Sequence, residues 1–513
     1  MNAPSLLPFP RSFVEREGTC ALTSSAAIAW QGPDTARGVA ELLAEYLRAA
    51  TGLALPVRQG PAEITLVQTA DPAPDAAGFL PEAYSIDISA AGIRLEATSA
   101  AGLARAIQTL RQLAGDGGTF PACRIEDAPA FRWRGLHLDV SRHFFPVEDV
   151  ERFIELLAQH RLNVFHWHLT DDQGWRIEIK SRPRLTEVGS VRAETLVGHY
   201  GSWPHRFDGT PHCGFYSQDD IRRIVAFAAR RHVTIVPEID MPGHMSAAIA
   251  AYPELGNGFV ARPAVRRTWG IAQNILSLDD ACVAFCEDIW REVFDLFPGV
   301  FCHLGGDEAP TKEWEESDAA QALMAARGLS SPRQMQCWFT AHMDAFFRAH
   351  GKRLIGWDEI LDGGGIDPSA AVMHWRTHHG HVDIAGAAKA GHPIVRAPVS
   401  HTYFDFYQAE PTSEEPLAIG GLLTLPHVYG FDPCDGIAPE ACGAVLGGQA
   451  QLWTEYIATR DHLDYMAYPR ACALAEALWA GANRPTYADF RARLTTHAAR
   501  LRAQSVHLCE KSL

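Results

Sequence analysis

From Phe131 onward the chain alternates short apolar runs with longer stretches whose apolar residues recur at helical spacing. The runs are WRGLHLDVS, NVFHWHL, VTIVPEID, VFCHL, RLIGWDE, AAVMHW, PIVRAPVS and GAVLGGQAQLWTE. Each reads as a strand, in a repeating rhythm of strand, loop and helix. Between them, Pro146 opens VEDVERFIELLAQHRL, where Val150, Phe153, Ile154 and Leu157 fall on one helix face. Ser217, with Asp220 three residues on, caps the helix IRRIVAFAARRH. The last helix is read from YMAYPRACALAEALWAG. Strand and helix alternating eight times over roughly 350 residues predict a (β/α)8 TIM barrel carrying insertions. The alternative, a doubly wound open sheet, would place a Gly-rich phosphate loop after its first strand, and LDVSRHFF is not one.

Ahead of the barrel the rhythm differs. VRQGPAEITLVQTA and YSIDISAAGIRLEATSA alternate like strands. GVAELLAEYLRAATG and AAGLARAIQTLRQLAG read as helices, the second with a stripe of Leu103, Ile107, Leu110 and Leu113. Residues 1–127 are therefore expected to form a small α/β domain, a few-stranded sheet with two helices, whose role is packing. Residues 128–513 are expected to form the catalytic barrel with its C-terminal helix.

Charge narrows the partners. The 45 Lys and Arg residues face 61 Asp and Glu, a formal charge of −16 with no basic cluster. That argues against a nucleic-acid or anionic membrane surface and favours a neutral small molecule or glycan. No run of apolar residues is long enough for a transmembrane helix. Eleven cysteines are scattered without a CxxC pair, which suggests reduced thiols. No basic segment followed by an apolar core opens the chain, so a cytoplasmic location is expected. Oligomeric state, a homodimer included, is left open.

The chemistry collects at the strand ends. HWHLTDDQGW, PEIDMPGH, HLGGDE, GWDE, HWR, SHTYFDFY and LWTEY follow successive strands, where barrel enzymes carry their catalytic groups. Acids interleaved with tryptophans suit a sugar: indole faces cover its C–H surface and carboxylates accept from its hydroxyls. The plainer alternative is that Trp357, Trp375 and Trp453 only pack in the core. Asp307 and Glu308 are adjacent, with Cα atoms about 3.8 Å apart. They approach a substrate from one wall, unlike the opposed carboxyls of most glycosidases. Either a second catalytic acid lies on another strand, or the substrate supplies its own nucleophile, as an N-acetyl group at C2 can.

HLGGDE, with LDVSRHF, NVFHWHLTDDQGWR, PEIDMPGH, GWDE and LWTE in that order, resembles the β-N-acetylhexosaminidases of glycoside hydrolase family 20. The resemblance covers the whole barrel, and ATSAAGLARAIQTLRQL is similar to that family's small α/β domain. It implies a retaining, exo-acting hydrolase that removes terminal β-linked N-acetylhexosamine by substrate-assisted catalysis. By the resemblance Glu308 is the general acid and then the base, while Asp307 holds the acetamido N–H. Tyr403 would donate to the acetamido oxygen. Trp357 and Trp375 would wall the methyl group and Trp453 would floor the ring. Arg134 would bind the C3 and C4 hydroxyls, although it sits early in its strand and must reach up the barrel. Asp405 and Glu455 would bind the O4 and O6 side. Asp171, Asp240 and His244 would hold the acid pair in place, with Asp172 a close rival to Asp171, and His303 would pack beneath. The stretches 186–216 and 405–440 are expected to shape the leaving-group side.

The resemblance implies no cofactor and no metal. A metal-dependent hydrolase built on His166 and His168 is the rival enzyme, but no later set of ligands suits a binuclear site. A non-catalytic sugar-binding barrel would keep the tryptophans and lose Asp307 or Glu308; both are present. Within the family, a disaccharide-releasing or transglycosylating enzyme is the alternative.

Overall fold

A computed structural model describes residues 5–376 and 382–513. The N-terminal region forms one mixed seven-stranded sheet, larger than the few strands expected. Its order is Ser12–Ala21, Thr119–Asp127, Tyr84–Ser89, Gly92–Ala97, Ile64–Gln68, Ile28–Gln31 and Val57–Arg58. Pairing is antiparallel from the first to the fourth of these and parallel from there on. The strand Ser12–Ala21 lies at an edge and is mostly exposed, with Glu15, Arg16 and Glu17 at its middle, so it carries no apolar signal. Helices Asp34–Thr51 and Ala100–Leu113 bury Val39, Leu43, Leu47, Leu103, Ile107 and Leu110 in one cluster with Ile64, Ile86 and Leu95. Gly52 ends the first helix in the left-handed region (φ +70°) and donates to the Arg48 carbonyl, a glycine C-cap.

The barrel is closed and parallel. Its strands in chain order are Trp133–Asp139, Val164–His168, Thr234–Glu238, Phe301–His303, Arg353–Trp357, Ala371–His374, Ile394–Arg396 and Val445–Ala450. These are the eight apolar runs of the sequence, and they are almost wholly buried. Because all eight run one way, every segment that follows a strand opens onto the same rim.

Ion pairs lock the domain beneath the opposite rim. Glu82, from the segment entering the strand Tyr84–Ser89, lies 2.7 Å from both Arg105 of its own domain and Arg134 of the first barrel strand. All three are buried. Burial alone would raise the Glu82 pKa; the two guanidiniums overcome this and hold it below the ordinary carboxylate value. Close by, Asp127 accepts from Arg161 (2.5 Å), Tyr84 (2.7 Å) and the Trp479 indole (3.0 Å), joining sheet, barrel and late helix.

Two expectations need correction. The last helix breaks at Pro469 into Arg460–Ala467 and Arg470–Ala480, because proline lacks the N–H and disfavours helix at the residue before it. A further helix, Tyr487–Ala503, comes after it and returns Arg493 to Glu476 at 2.7 Å. The thiols are also not all free. Cys434 and Cys442 form a disulfide within the 405–440 region and just past it, with Cα atoms 5.8 Å apart, and nine cysteines stay unpaired.

Glu82→Gln should destabilise the folded chain by about 3–5 kcal/mol, because it strands two buried guanidiniums. Urea denaturation measures this; a loss below about 1 kcal/mol would show that the junction does not depend on the triad.

Candidate active site

The site is built on the turn after the fourth barrel strand, His303-Leu-Gly-Gly-Asp-Glu308. Gly305 (φ +75°) and Gly306 (φ +93°) lie in the left-handed region. A Cβ on Gly305 would stand 1.9 Å from Asp240 Oδ1, so no side chain fits there. That carboxylate oxygen instead accepts from the Gly306 amide at 2.9 Å, while the Gly305 amide donates to His303 Nδ1 at 3.0 Å. Gln336 donates to the Gly306 carbonyl at 2.7 Å. Glu308 (φ +46°) and His244 (φ +52°) hold the same backbone region without being glycine, at about 1 kcal/mol of strain each.

His244 connects the acids. Its Nε2 lies 3.6 Å from Glu308 Oε2 and 3.9 Å from Asp307 Oδ2, and its Nδ1 donates to Asp171 Oδ1 at 3.1 Å. Asp171, rather than Asp172, therefore backs the pair; Asp172 accepts from the amides of Ser246 and Ala272. Burial, followed by the negative charge of Asp240, pushes the Asp307 carboxyl well above its ordinary pKa. Burial raises Asp240 to about 7 even though His244 opposes the shift. Asp307 and Asp240 thus compete for ionisation.

Aromatic side chains enclose the space above. Trp357 and Trp453 have ring centroids 5.8 Å apart, and Trp375 stands edge-on to Trp357 at 6.5 Å. Tyr403 lies nearly parallel to Trp375, with centroids 6.3 Å apart. Burial keeps the Tyr403 phenol protonated, as do the neighbouring Asp405, Asp307 and Glu308, so it is a hydrogen-bond donor. The Trp357 indole donates to Glu238 at 2.8 Å and the Trp375 indole to Glu359 at 3.0 Å. The pocket, open to solvent on one side, measures about 560 Å3 and is lined by Asp307, Glu308, Tyr403, Asp405, Glu455 and the three tryptophans among others. Asp307 Oδ1, Asp405 Oδ1 and His244 Nε2 are buried there without a hydrogen-bond partner among the described residues.

Arg134 is the exception. It is fully buried at the opposite end of the barrel, spending its donors on Glu82 and on the carbonyls of Arg161 and Phe131. A residue at the start of a barrel strand lies at the opposite rim, and the Arg134 side chain does not reach the pocket. Arg142 takes that place. It comes just after the first strand, lines the pocket, and lies 2.8 Å from Asp171 and 4.0 Å from Glu455, with its guanidinium 5.2 Å from the Trp453 ring centroid. The signal was in LDVSRHF: only the strand's C-terminal end opens onto the site. Tyr200 and Trp269 also line the pocket, and they escape a sequence reading because they lie outside the strand-end motifs. His303 is buried beneath the turn.

Several buried groups bring three ligand-type atoms within 4.8 Å of one another, among them His137–His168–Glu238 and His166–Glu238–His303 below the pocket. His168 has Nδ1 2.6 Å from Glu238 and Nε2 2.9 Å from Asp171, so both nitrogens donate and neither offers a lone pair to a metal. A third group, His160–Cys472–His497, lies among outer helices, away from the pocket.

A (β/α)8 barrel whose strand ends gather carboxylates and indoles around one pocket defines a carbohydrate-active enzyme. The model "Glycosyl hydrolase family 20, catalytic domain" matches residues 131–482, and "Glycosyl hydrolase family 20, domain 2" matches residues 3–128. The chain belongs to glycosyl hydrolase family 20. It is 39% identical to a beta-hexosaminidase of Porphyromonas gingivalis over 97% of this chain, and spans 63% of that relative's length. A beta-hexosaminidase of Vibrio furnissii is 36% identical over 92% of this chain and 76% of its own. Among solved structures, the Vibrio harveyi exo beta-N-acetylglucosaminidase in complex with N-acetylglucosamine superposes with a TM-score of 0.85 at 31% identity, covering 99% of this chain and 79% of that one. The Streptomyces plicatus N-acetyl-beta-hexosaminidase in complex with Thio-NAglucal gives a TM-score of 0.84 at 33% identity, covering 99% and 96%.

Glu359 supplies a pH test. Burial, and then the charge of Asp358, raise its pKa to about 8. Unfolded, a glutamate titrates at about 4.3, so the folded state keeps a proton that the unfolded chain loses. Its contribution is full below about pH 4.3 and is lost as pH rises through 8. Glu359→Gln should therefore stabilise the protein relative to wild type more at pH 8 than at pH 5, by about 1 kcal/mol or more. Urea midpoints at the two pH values check this; an equal effect at both contradicts it.

Proposed function

We propose that the protein is an exo-acting β-N-acetylhexosaminidase that removes terminal, non-reducing, β-linked N-acetylglucosamine or N-acetylgalactosamine from glycans with retention of configuration. The observation that carries this is the acid pair. Asp307 and Glu308 stand on one turn, within 3.9 and 3.6 Å of the same His244 nitrogen, so they address the bond from one side. That arrangement favours a nucleophile brought by the substrate. The names of the relatives support the same activity. A pocket of 560 Å3 supports attack on a chain end, and its unpartnered Asp307 and Asp405 oxygens suit the donors of a bound amino sugar.

In the first step the acetamido carbonyl oxygen attacks C1 while the C1–O bond to the leaving group breaks. Glu308 delivers its proton to the departing oxygen, leaving a cationic oxazolinium ring and a carboxylate. Asp307 accepts the amide N–H and faces the positive charge as it develops. Tyr403 donates to the carbonyl oxygen and aims it. Trp357, Trp375 and Trp453 exclude water from the ring and its methyl group. In the second step Glu308 takes a proton from water, whose oxygen attacks C1 and reopens the ring. Two inversions return the original configuration. Arg142, Asp405 and Glu455 hold the ring hydroxyls; Arg142 takes the role that the family resemblance gave to Arg134.

A 4-nitrophenyl N-acetyl-β-glucosaminide should be cleaved and the plain β-glucoside should not; equal rates on both would sink the mechanism. Glu308→Gln should lower turnover by about 10²–10⁴-fold, most with poor leaving groups. Asp307→Asn should lower it by about 10²-fold with substrate binding largely kept. Arg142→Ala should cut kcat/KM by about 10-fold or more, whereas Arg134→Ala should leave KM in place and lower the urea midpoint. The reverse pattern would return the sugar-binding role to Arg134.

A further inference from the structure

Glu238 ends the third barrel strand, is fully buried, and meets four side chains from three other strands. Its Oε1 accepts from the Trp357 indole at 2.8 Å and lies 3.0 Å from His303 Nδ1. Its Oε2 lies 2.6 Å from His168 Nδ1 and 3.0 Å from His166 Nε2. One arm of this contact set ends in Trp357, a wall of the pocket. The other runs through His168 to Asp171 (2.9 Å), from Asp171 to His244 (3.1 Å) and Arg142 (2.8 Å), and from His244 to Glu308 (3.6 Å). No step of the proposed mechanism uses Glu238 or His168.

We propose that Glu238 is a positioning residue that fixes the acetamide wall and the general acid with a single carboxylate. The inference rests on the acetamide-assisted reading of this site. His168 stands between two carboxylates, so both its nitrogens must carry protons and the ring is an imidazolium. Burial alone would oppose this, and Glu238 and Asp171 together raise its pKa to about 10. The cation neutralises one face of Asp171, which leaves the other face to orient His244. Remove the Glu238 charge and the imidazolium loses one of its two anions. His168 then gives up a proton, Asp171 loses a charged partner, and the potential at Glu308 becomes more negative. On the other arm, Oε1 of the same carboxylate sets the tilt of the Trp357 indole.

The groups facing these side chains are few. Glu238 faces His166 and His168 of the second strand, His303 of the fourth and Trp357 of the fifth, with Asp240 beyond its own strand end. His168 also faces His137 of the first strand and Trp453 after the eighth. His244 faces Asp171, Asp172, Asp307, Glu308 and Asp240. Among these, His168 is the cation that sits between Glu238 and the acid.

The test uses the full chain with Glu238→Gln, His168→Gln and Trp357→Phe, assayed on 4-nitrophenyl N-acetyl-β-glucosaminide across pH. His168→Gln severs the acid arm: kcat should fall about 10-fold or more with KM within about twofold, and the alkaline limb of kcat/KM should move up by about half a unit. Trp357→Phe keeps an aromatic wall but deletes its N–H: KM should rise about fivefold or more, with the limb in place. Glu238→Gln should show both losses together. If Glu238→Gln fails to fold, the two arm variants still decide. The proposal is overturned if His168→Gln leaves both kcat and the limb unchanged, if Trp357→Phe leaves KM unchanged, or if folded Glu238→Gln loses only thermal stability. Wild-type enzyme that cleaves the plain β-glucoside equally would instead defeat the acetamide-assisted reading, so the two failures are separable.

Discussion

Gly305 has no Cβ, and the Asp240 carboxylate occupies the space where one would be. The rest of the site depends on this contact. It lets the third and fourth barrel strands bring their ends together, and it turns the Gly306 amide onto Asp240. The chain then has to leave the turn through Asp307 and a left-handed Glu308, which sets two carboxyls side by side on one wall. Any side chain at residue 305 would push Asp240 away, lift the turn and separate both acids from His244.

That crowding has an electrostatic consequence. Asp240, Asp405 and Glu455 are buried and Asp307 is half-buried, and desolvation shifts the pKa of each upward. Such a site would not hold so many ionised carboxylates alone. Arg142, His168 and His244 supply the compensating cations, and each touches Asp171. Asp171 is in turn held well below its ordinary pKa: burial opposes ionisation, and these cations, Arg142 first, overcome it. The charge of the pocket is therefore balanced around one deep anion, Asp171. At the far rim, Glu82 between Arg105 and Arg134 repeats the logic for stability rather than chemistry.

How legible each part is in the sequence depends on where it lies. The eight barrel strands are buried on both faces, so they read as plain apolar runs. The edge strand Ser12–Ala21 shows charged residues to solvent and leaves no such trace. Glu308, Asp307, Tyr403 and the tryptophans can be named because they come just after strand ends and match ordered motifs. Arg134 matches a motif yet sits at the wrong end of its strand, and strand polarity is the stronger guide; Arg142, a few residues on, lies where polarity requires. Glu238 and His168 lie inside the motifs PEIDMPGH and HWHLTDDQGW, but their pairing is not legible there, since a buried charge inside an apolar run shows its meaning only when its partners on other strands are known. The Cys434–Cys442 bridge is equally hidden, being one pair among dispersed thiols.

The central claim is that the nucleophile belongs to the substrate, and the acetyl group itself can be altered to test it. Turnover should be measured on 4-nitrophenyl β-glucosaminides bearing N-acetyl, N-fluoroacetyl, N-difluoroacetyl and N-trifluoroacetyl groups. Each fluorine withdraws electrons from the carbonyl oxygen, so kcat should fall steeply and progressively along the series. A rate independent of fluorine number would place the nucleophile on the protein and contradict the account.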